Sequence, residues 1–304
     1  MSFPIHCEDL SKRFGRVSAV DGLTLEVPEG SIYGLVGPNG AGKTTLIKML
    51  MNILQASSGR AEVLGVESRH LSPREKTAIG YVSENQDLPE WMTVEYFLRY
   101  LKPFYPAWDD VLAQELVRQF DLPLDRKLRH LSRGMKMKAA LASALAYRPR
   151  LIILDEPFTG LDPLVRDEFS EGLLERAAGA TVLISSHDLA EIESFVSHIG
   201  YLDKGRMQFS EEMSALADRF REVEITFAAP SATPLAWPES WLRVERSPAL
   251  VRFVESRFEG ERTSAEIARL FPEARDVAFR AMPLREIFIA LARTQRNEAR
   301  RERS

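Results

Sequence analysis

The sequence predicts an α/β fold: a mixed sheet with flanking helices, an antiparallel β subdomain at its N-terminal end, an inserted helical subdomain, and a small C-terminal α/β domain. Three observations predict it. The runs 31–36, 151–154 and 181–186 are dominated by apolar residues, as strands buried inside a sheet require. Residues 3–36 alternate between apolar and polar positions with turn signals at Gly15, Asp21-Gly22 and Glu29-Gly30, the pattern of antiparallel strands. Residues 93–147 space their apolar side chains by three and four, the period of a helix with one buried face.

A chain of 304 residues that is 45% hydrophobic can bury one large core or two modest ones. The formal net charge of −4 gives no global attraction to nucleic acid or to anionic lipid, and no nucleic-acid partner is expected. The single cysteine, Cys7, excludes an intrachain disulfide and a thiol pair for zinc, and it fits a reducing cytosol. Its place in the expected first strand, Ile5 to Leu10, makes it a small buried apolar residue. The N-terminus lacks the basic, apolar and small-residue pattern of a secretory signal. No apolar run approaches the roughly 20 residues that span a bilayer. Work at a membrane would require another chain to supply the spans.

The apolar run 31–36 leads into Gly37-Pro38-Asn39-Gly40-Ala41-Gly42-Lys43-Thr44-Thr45, and Leu46-Ile47-Lys48-Met49-Leu50 then opens a helix. This strand, loop and helix context is the one in which G-x-x-x-x-G-K-[ST] acts as a Walker A motif. Glycines let the backbone N–H groups turn inward as an anion nest at the positive end of the helix dipole. Lys43 then reaches the β- and γ-phosphates, the Thr44 hydroxyl holds Mg²⁺, and Thr45 sits near the α-phosphate. Phe14, beside Lys12 and Arg13 in an expected turn, has two open roles: stacking on adenine or packing on its own sheet.

Within 93–147, Val94–Leu101 and Val111–Val117 are helical, and Pro103, Pro106 and Pro123 break the region into short helices rather than one rod. Leu151-Ile152-Ile153-Leu154 ends in Asp155-Glu156. In an open α/β sheet ligands sit at the carboxyl ends of the strands, which brings both acids beside the phosphate loop. Asp155 is a second ligand for Mg²⁺, and Glu156 is placed to orient and polarise a water. His187 follows the next buried strand, where a lone histidine serves either as a structural hydrogen-bond partner or as a γ-phosphate contact. Beyond about residue 212 no phosphate motif recurs. Residues 213–304 read as short strands, such as 223–227 and 241–245, with helices between, a proline-marked loop at Pro230, Pro234 and Pro238, and a helix start near Met282-Pro283. The arginine-rich end, Arg293 to Arg303, reads as a solvated tail, with contact to anionic headgroups as its alternative.

Over roughly its first 210 positions the chain resembles the ATP-binding subunit of an ABC transporter, a P-loop ATPase fold. The resemblance extends past the Walker pair. Leu131-Ser132-Arg133-Gly134-Met135 stands where that family has LSGGQ, Gly160-Leu161-Asp162 resembles the D-loop, His187 the H-loop histidine, and Phe14 the A-loop aromatic. The Phe104–Asp109 and Leu131–Lys138 stretches look closest to the YtrB-like branch of the type-two exporter group. The resemblance implies domains at 1–212, with helices inserted at about 85–147, and 213–304. It implies ATP and Mg²⁺ as ligands, and a head-to-tail dimer, homodimeric or with another cassette, in which Ser132, Arg133, Gly134 and Met135 of one subunit close over the other's nucleotide. It also implies a separate polytopic permease and a peripheral place on the cytoplasmic face of the membrane. The inserted helices would offer the permease a groove, lined by Trp91, Tyr96, Phe97 and Tyr100, although core packing is the stronger reading for those at helical spacing. A soluble ATPase acting on nucleic acid, or a non-catalytic regulatory cassette, are the competing classes.

Three positions depart from the family pattern: Glu84, Arg133 and, in place of the signature glutamine, Met135. Glu84 stands where a glutamine is usual, and it is a candidate for approaching Mg²⁺ or polarising water, although its charge opposes a triphosphate. Arg133 replaces a signature glycine. It either contacts phosphate or points to solvent, and solvent is the expectation because that glycine normally leaves little room. Glu84→Gln is expected to keep measurable ATP hydrolysis in a steady-state phosphate-release assay, and complete loss would show that the carboxylate itself is required.

Overall fold

The computed structural model describes residues 3–84, 86–177, 179–228 and 237–291. Its contacts divide the chain between Ser210 and Glu211 into two units.

In the first unit, β1 (Ile5–Phe14) turns at Gly15 into β2 (Val17–Val27), its antiparallel partner. The turn expected at Asp21-Gly22 does not form. Gly22, at φ +57°, lies inside β2, and the pairing absorbs it through register shifts between Cys7 and Lys12, so the strand bends and continues. Cys7 is fully buried, and burial pushes its thiol up to about 12. β3 (Ile32–Val36) leads through the phosphate loop to α1 (Lys43–Leu50). β4 (Ser58–Val63) then returns beside β1 and pairs with the short β5 (Val66–Glu67), completing a four-stranded antiparallel sheet in the order β2-β1-β4-β5.

The chain next enters the larger sheet. α2 (Pro73–Lys76) is closed by a capping box between Ser72 and Glu75, and β6 (Ile79–Ser83) follows. α3 (Val94–Leu101), capped by Thr93, and α4 (Asp110–Gln119), capped by Asp109, are the short helices that the prolines delimit. α5 (Arg133–Leu145), β7 (Leu151–Asp155), α6 (Pro163–Arg176), β8 (Thr181–Ser186), β9 (His198–Asp203) and β10 (Arg206–Glu212) complete the region. The six strands order as β10-β9-β3-β8-β7-β6, and β9, β3, β8, β7 and β6 run parallel. All five residues of β7 and all six of β8 are buried, which explains their apolar runs.

One core joins the two sheets. Leu46, Ile47, Met49 and Leu50 of α1 share a cluster with Ile5, Leu10 and Leu25 of the antiparallel sheet and with Leu35, Ile153 and Leu183 of the parallel one. Each such side chain is worth about 1.5–3 kcal/mol when fully buried, so the helix is held from both sides.

In the second unit, α7 (Met213–Arg219) precedes β11 (Arg221–Phe227), β12 (Trp241–Ser247) and β13 (Leu250–Glu255). α8 (Gly260–Leu270) and β14 (Ala274–Ala281) follow, and a helix spans 284–291. The sheet is antiparallel in the order β12-β13-β11-β14. Its core stacks Trp241 on Phe253, ring centroids 3.7 Å apart, with Ile267 and Phe271 from the helical side. Pro230, Pro234 and the arginine-rich end lie outside the described residues. Among the described residues no helix is long and apolar enough to cross a membrane.

Candidate functional site

The register of the parallel strands lines up their carboxyl ends. Val36 pairs with Ser186, Ser83 with Asp155, and Asp155 with Ser185. The residues that follow these strands, Gly37, Glu84, Glu156 and His187, therefore emerge along one edge of the sheet. Three of them, Glu84, Glu156 and His187, line a cleft of about 550 Å³ together with Asn39 to Thr45, Ala19 and Thr159.

The loop 37–45 wraps the N-terminal end of α1. Gly42 is the N-cap, at φ +110°, and no side chain caps the helix, so its first N–H groups face the cleft. A Cβ at Gly42 would lie 2.4 Å from the Ala19 carbonyl oxygen, so only glycine fits. Lys43 is nearly buried, and its ammonium donates to the carbonyl oxygens of Gly37 at 2.5 Å and Pro38 at 3.3 Å and pairs with Glu156 Oε1 at 3.0 Å. Its donors converge where the loop's N–H groups converge, which is what recognition of a polyanion requires.

Asp155 is 2% exposed, and among the described residues its side chain is held by two hydroxyls: Thr44 Oγ1 donates to Oδ1 at 3.1 Å and Ser185 Oγ at 2.8 Å. Burial raises its carboxyl above the usual range, and the two hydroxyl bonds offset this only in part. A buried carboxylate beside a threonine hydroxyl at the cleft floor is an all-oxygen donor set that suits a hard divalent cation such as Mg²⁺. The residues fit the metal.

Glu156 adopts φ +53°, a left-handed backbone that a residue with a Cβ seldom takes. Its N–H donates to Ser185 Oγ at 2.9 Å, and its side chain turns back over the cleft. There Oε2 lies 2.8 Å from His187 Nδ1 and accepts from Thr159 Oγ1 at 3.2 Å, while Oε1 meets Lys43. Burial works to raise the Glu156 carboxyl, but the bonds from His187 and Lys43 outweigh it and hold it below the ordinary range. The same carboxylate raises His187.

The remaining expected residues fall into three places. Ser132 caps α5 through a bond from the Met135 N–H to its Oγ at 3.2 Å, and Gly134 lets α5 approach α6, since a Cβ there would lie 2.7 Å from Val165 Cγ1. Asp162 Oδ1 caps α6 by accepting from the Val165 N–H at 3.0 Å. Phe14 is half-exposed at the end of β1, with Lys12 Nζ 5.2 Å from its ring centroid, and the cleft wall does not include it.

One expectation needs correction. Arg133 does not point freely to solvent, because its Nη2 donates to Glu84 Oε1 at 2.5 Å. One oxygen of the Glu84 carboxylate is thereby bonded to Arg133, while Glu84 still lines the cleft. Of the aromatics named for the inserted helices, Phe97 is buried, as core packing at helical spacing favours, while Trp91, Tyr96 and Tyr100 are exposed. Sequence reasoning missed Ser185, which hydrogen-bonds both Asp155 and the Glu156 N–H. Its only signal was a polar residue at the end of an apolar strand, directly across from an aspartate.

Comparison with known proteins adds to this geometry. A family profile described as ABC transporter matches residues 20–159. The daunorubicin resistance ATP-binding protein DrrA2 of Streptomyces coeruleorubidus is 31% identical, and the alignment covers 98% of each chain. The ABC transporter ATP-binding protein YtrB of Bacillus subtilis is 30% identical over 73% of this chain and 77% of its own. An ABC transporter ATP-binding protein of Nostoc sp. is 36% identical over 66% of this chain and 62% of its own. Among solved structures, an ATP-binding subunit of an ABC transporter superposes with a TM-score of 0.65 at 29% identity, covering 71% of this chain and 92% of that one.

Ser185→Ala removes a donor from the buried Asp155 carboxylate and the acceptor of the Glu156 N–H. Urea unfolding at pH 7 is expected to show a loss of about 1–3 kcal/mol, and an unchanged midpoint would show that water replaces the hydroxyl at no cost.

Proposed function

The chain belongs to the ATP-binding proteins of ABC transporters, and from that premise we propose that it hydrolyses ATP to power export through a separate membrane permease. The observation that carries the catalytic part is the Glu156 carboxylate, held between Lys43 and His187 at the cleft wall and one residue beyond the metal-type pair of Asp155 and Thr44.

The loop N–H groups and Lys43 bind the β- and γ-phosphates, and Thr45 lies toward the α-phosphate. Thr44 and Asp155 hold Mg²⁺, which when bound neutralises charge on the phosphate oxygens. Glu156 accepts a hydrogen bond from the attacking water and orients it in line with the γ-phosphoryl group. Its depressed pKa keeps it ionised and able to accept. His187, hydrogen-bonded to Glu156, fixes that carboxylate and offers its other ring nitrogen to the γ-phosphate. Phe14, exposed at the end of β1, stacks on adenine.

A second subunit completes the site. Ser132 and the N-terminal turn of α5 supply a hydroxyl and helix-end N–H groups to the phosphate held by the partner, so bound nucleotide favours the closed dimer over the open one. Asp162, the cap of α6, belongs to the stretch 160–162 that resembles a D-loop. An exposed aromatic strip runs along the inserted helices: Trp91 against Tyr96 with centroids 5.6 Å apart, and Tyr100 against Phe104 at 5.6 Å. Aromatics that remain exposed in this number support a protein interface there, and we assign it to a cytoplasmic segment of the permease. The chain would then sit peripherally on the cytoplasmic face. Residues 211–304 act as an accessory domain that steadies the dimer or meets a regulator. Export is favoured by the full-length similarity to a daunorubicin resistance ATP-binding protein.

Glu156→Gln is expected to lower kcat by about 100-fold or more, with the ATP KM changed far less, and to retain a polytopic membrane protein when purified in mild detergent with ATP and Mg²⁺. Undiminished turnover would remove Glu156 from its assigned role, and recovery without a membrane protein would redirect the assignment toward a soluble ATPase.

A further inference from the structure

Two of the positions that depart from the family pattern, Glu84 and Arg133, are bonded to each other. Arg133 Nη2 donates to Glu84 Oε1 at 2.5 Å, across 49 residues of sequence. One turn later on the same helix, Lys136 Nζ reaches Glu90 Oε1 at 3.2 Å. The first turn of α5 is thus tied twice to the segment that follows β6.

The Arg133 guanidinium also lies over Gly160. A Cβ built at that glycine, φ +71°, would sit 3.1 Å from Nη1 and 3.3 Å from Cζ. Three segments meet at one side chain: the stretch after β6, the signature turn, and the turn before α6. Arg133 is about half-exposed and Glu84 a quarter exposed, and a pair so wet contributes little to folding stability. Its effect is therefore on where the charges stand.

Glu84 lines the same cleft as Lys43 and Thr44. An unpaired carboxylate there repels a triphosphate, whereas the adjacent guanidinium neutralises it and draws it toward Gly160. We propose that Arg133 is a positioning residue for nucleotide binding: it neutralises and holds Glu84 at the cleft wall, so that the two departures are one compensated change. The inference rests on reading the cleft as an ATP site, and it concerns Arg133 and Glu84 within one chain.

The test is equilibrium binding of a fluorescent ATP analogue, mant-ATP with Mg²⁺, to the full chain and its variants, with steady-state kinetics beside it. Arg133→Gln is expected to weaken binding by about tenfold, an effect that shrinks as salt is raised. The ATP KM should rise in step, by a larger factor than any fall in kcat. Adding Glu84→Gln to that variant should restore affinity to within about threefold of the wild type, and Arg133→Lys, which keeps the charge, should stay near it. Glu84→Gln alone should bind at least as tightly as the wild type. Thermal melting of each variant separates these effects from misfolding. If Arg133→Gln binds as the wild type does, or the double variant binds as weakly as Arg133→Gln, the proposal is overturned while the ATP site stands. If the wild type does not bind mant-ATP, both fall.

Discussion

The register of four parallel strands is the constraint on which the rest depends. β6 and β7 end level with each other, β3 and β8 end one residue further on, and the residues that follow the four strands are the phosphate loop, Glu84, Glu156 and His187. A slip of one residue in any strand would exchange its two faces and move its terminal side chain away from the cleft. Burial prevents the slip. β7 and β8 are covered on both faces, and α1 is clamped between the two sheets by Leu46, Ile47, Met49 and Leu50.

On that frame the electrostatics follow in order of burial. Asp155, the deepest carboxylate, has two hydroxyl donors among the described residues and is pushed toward its neutral form, which a divalent cation would reverse. Glu156 is bonded to both a lysine and a histidine and stays ionised in spite of its partial burial. Two adjacent acids thus have opposite shifts because one faces hydroxyls and the other faces cations. Ser185 links them, donating to Asp155 and accepting from the Glu156 N–H.

Much of this was legible in the sequence, for stated reasons. The phosphate loop carries its conformation in its glycines, and the apolar runs 151–154 and 181–186 announce strands buried on two faces. Ser132, named with the signature, and Asp162, named with the D-loop, are in the structure both helix caps. What was not legible depends on contacts between distant residues. The tie between Arg133 and Glu84 joins positions 49 apart in sequence, and neither residue alone signals the other. Helical spacing favoured the core for the aromatics of this helix, and the packed helix shows that Phe97 takes that place while Tyr96 and Tyr100 are exposed. At Asp21-Gly22 local turn chemistry lost to strand pairing, which kept β2 continuous through a bulge. The left-handed backbone of Glu156 likewise has no sequence signal, since it arises from the Ser185 bond and the partners waiting in the cleft.

The central claim is that the cleft binds ATP through a metal held by Thr44 and Asp155. The measurement that tests it most directly is the affinity of the chain for ATP by titration calorimetry, with Mg²⁺ and with EDTA, in the wild type and in Asp155→Asn. The account predicts tighter binding with Mg²⁺ in the wild type, by about tenfold or more, and loss of most of that Mg²⁺ dependence in Asp155→Asn while metal-free binding persists. Equal Mg²⁺ dependence in the two proteins would contradict it.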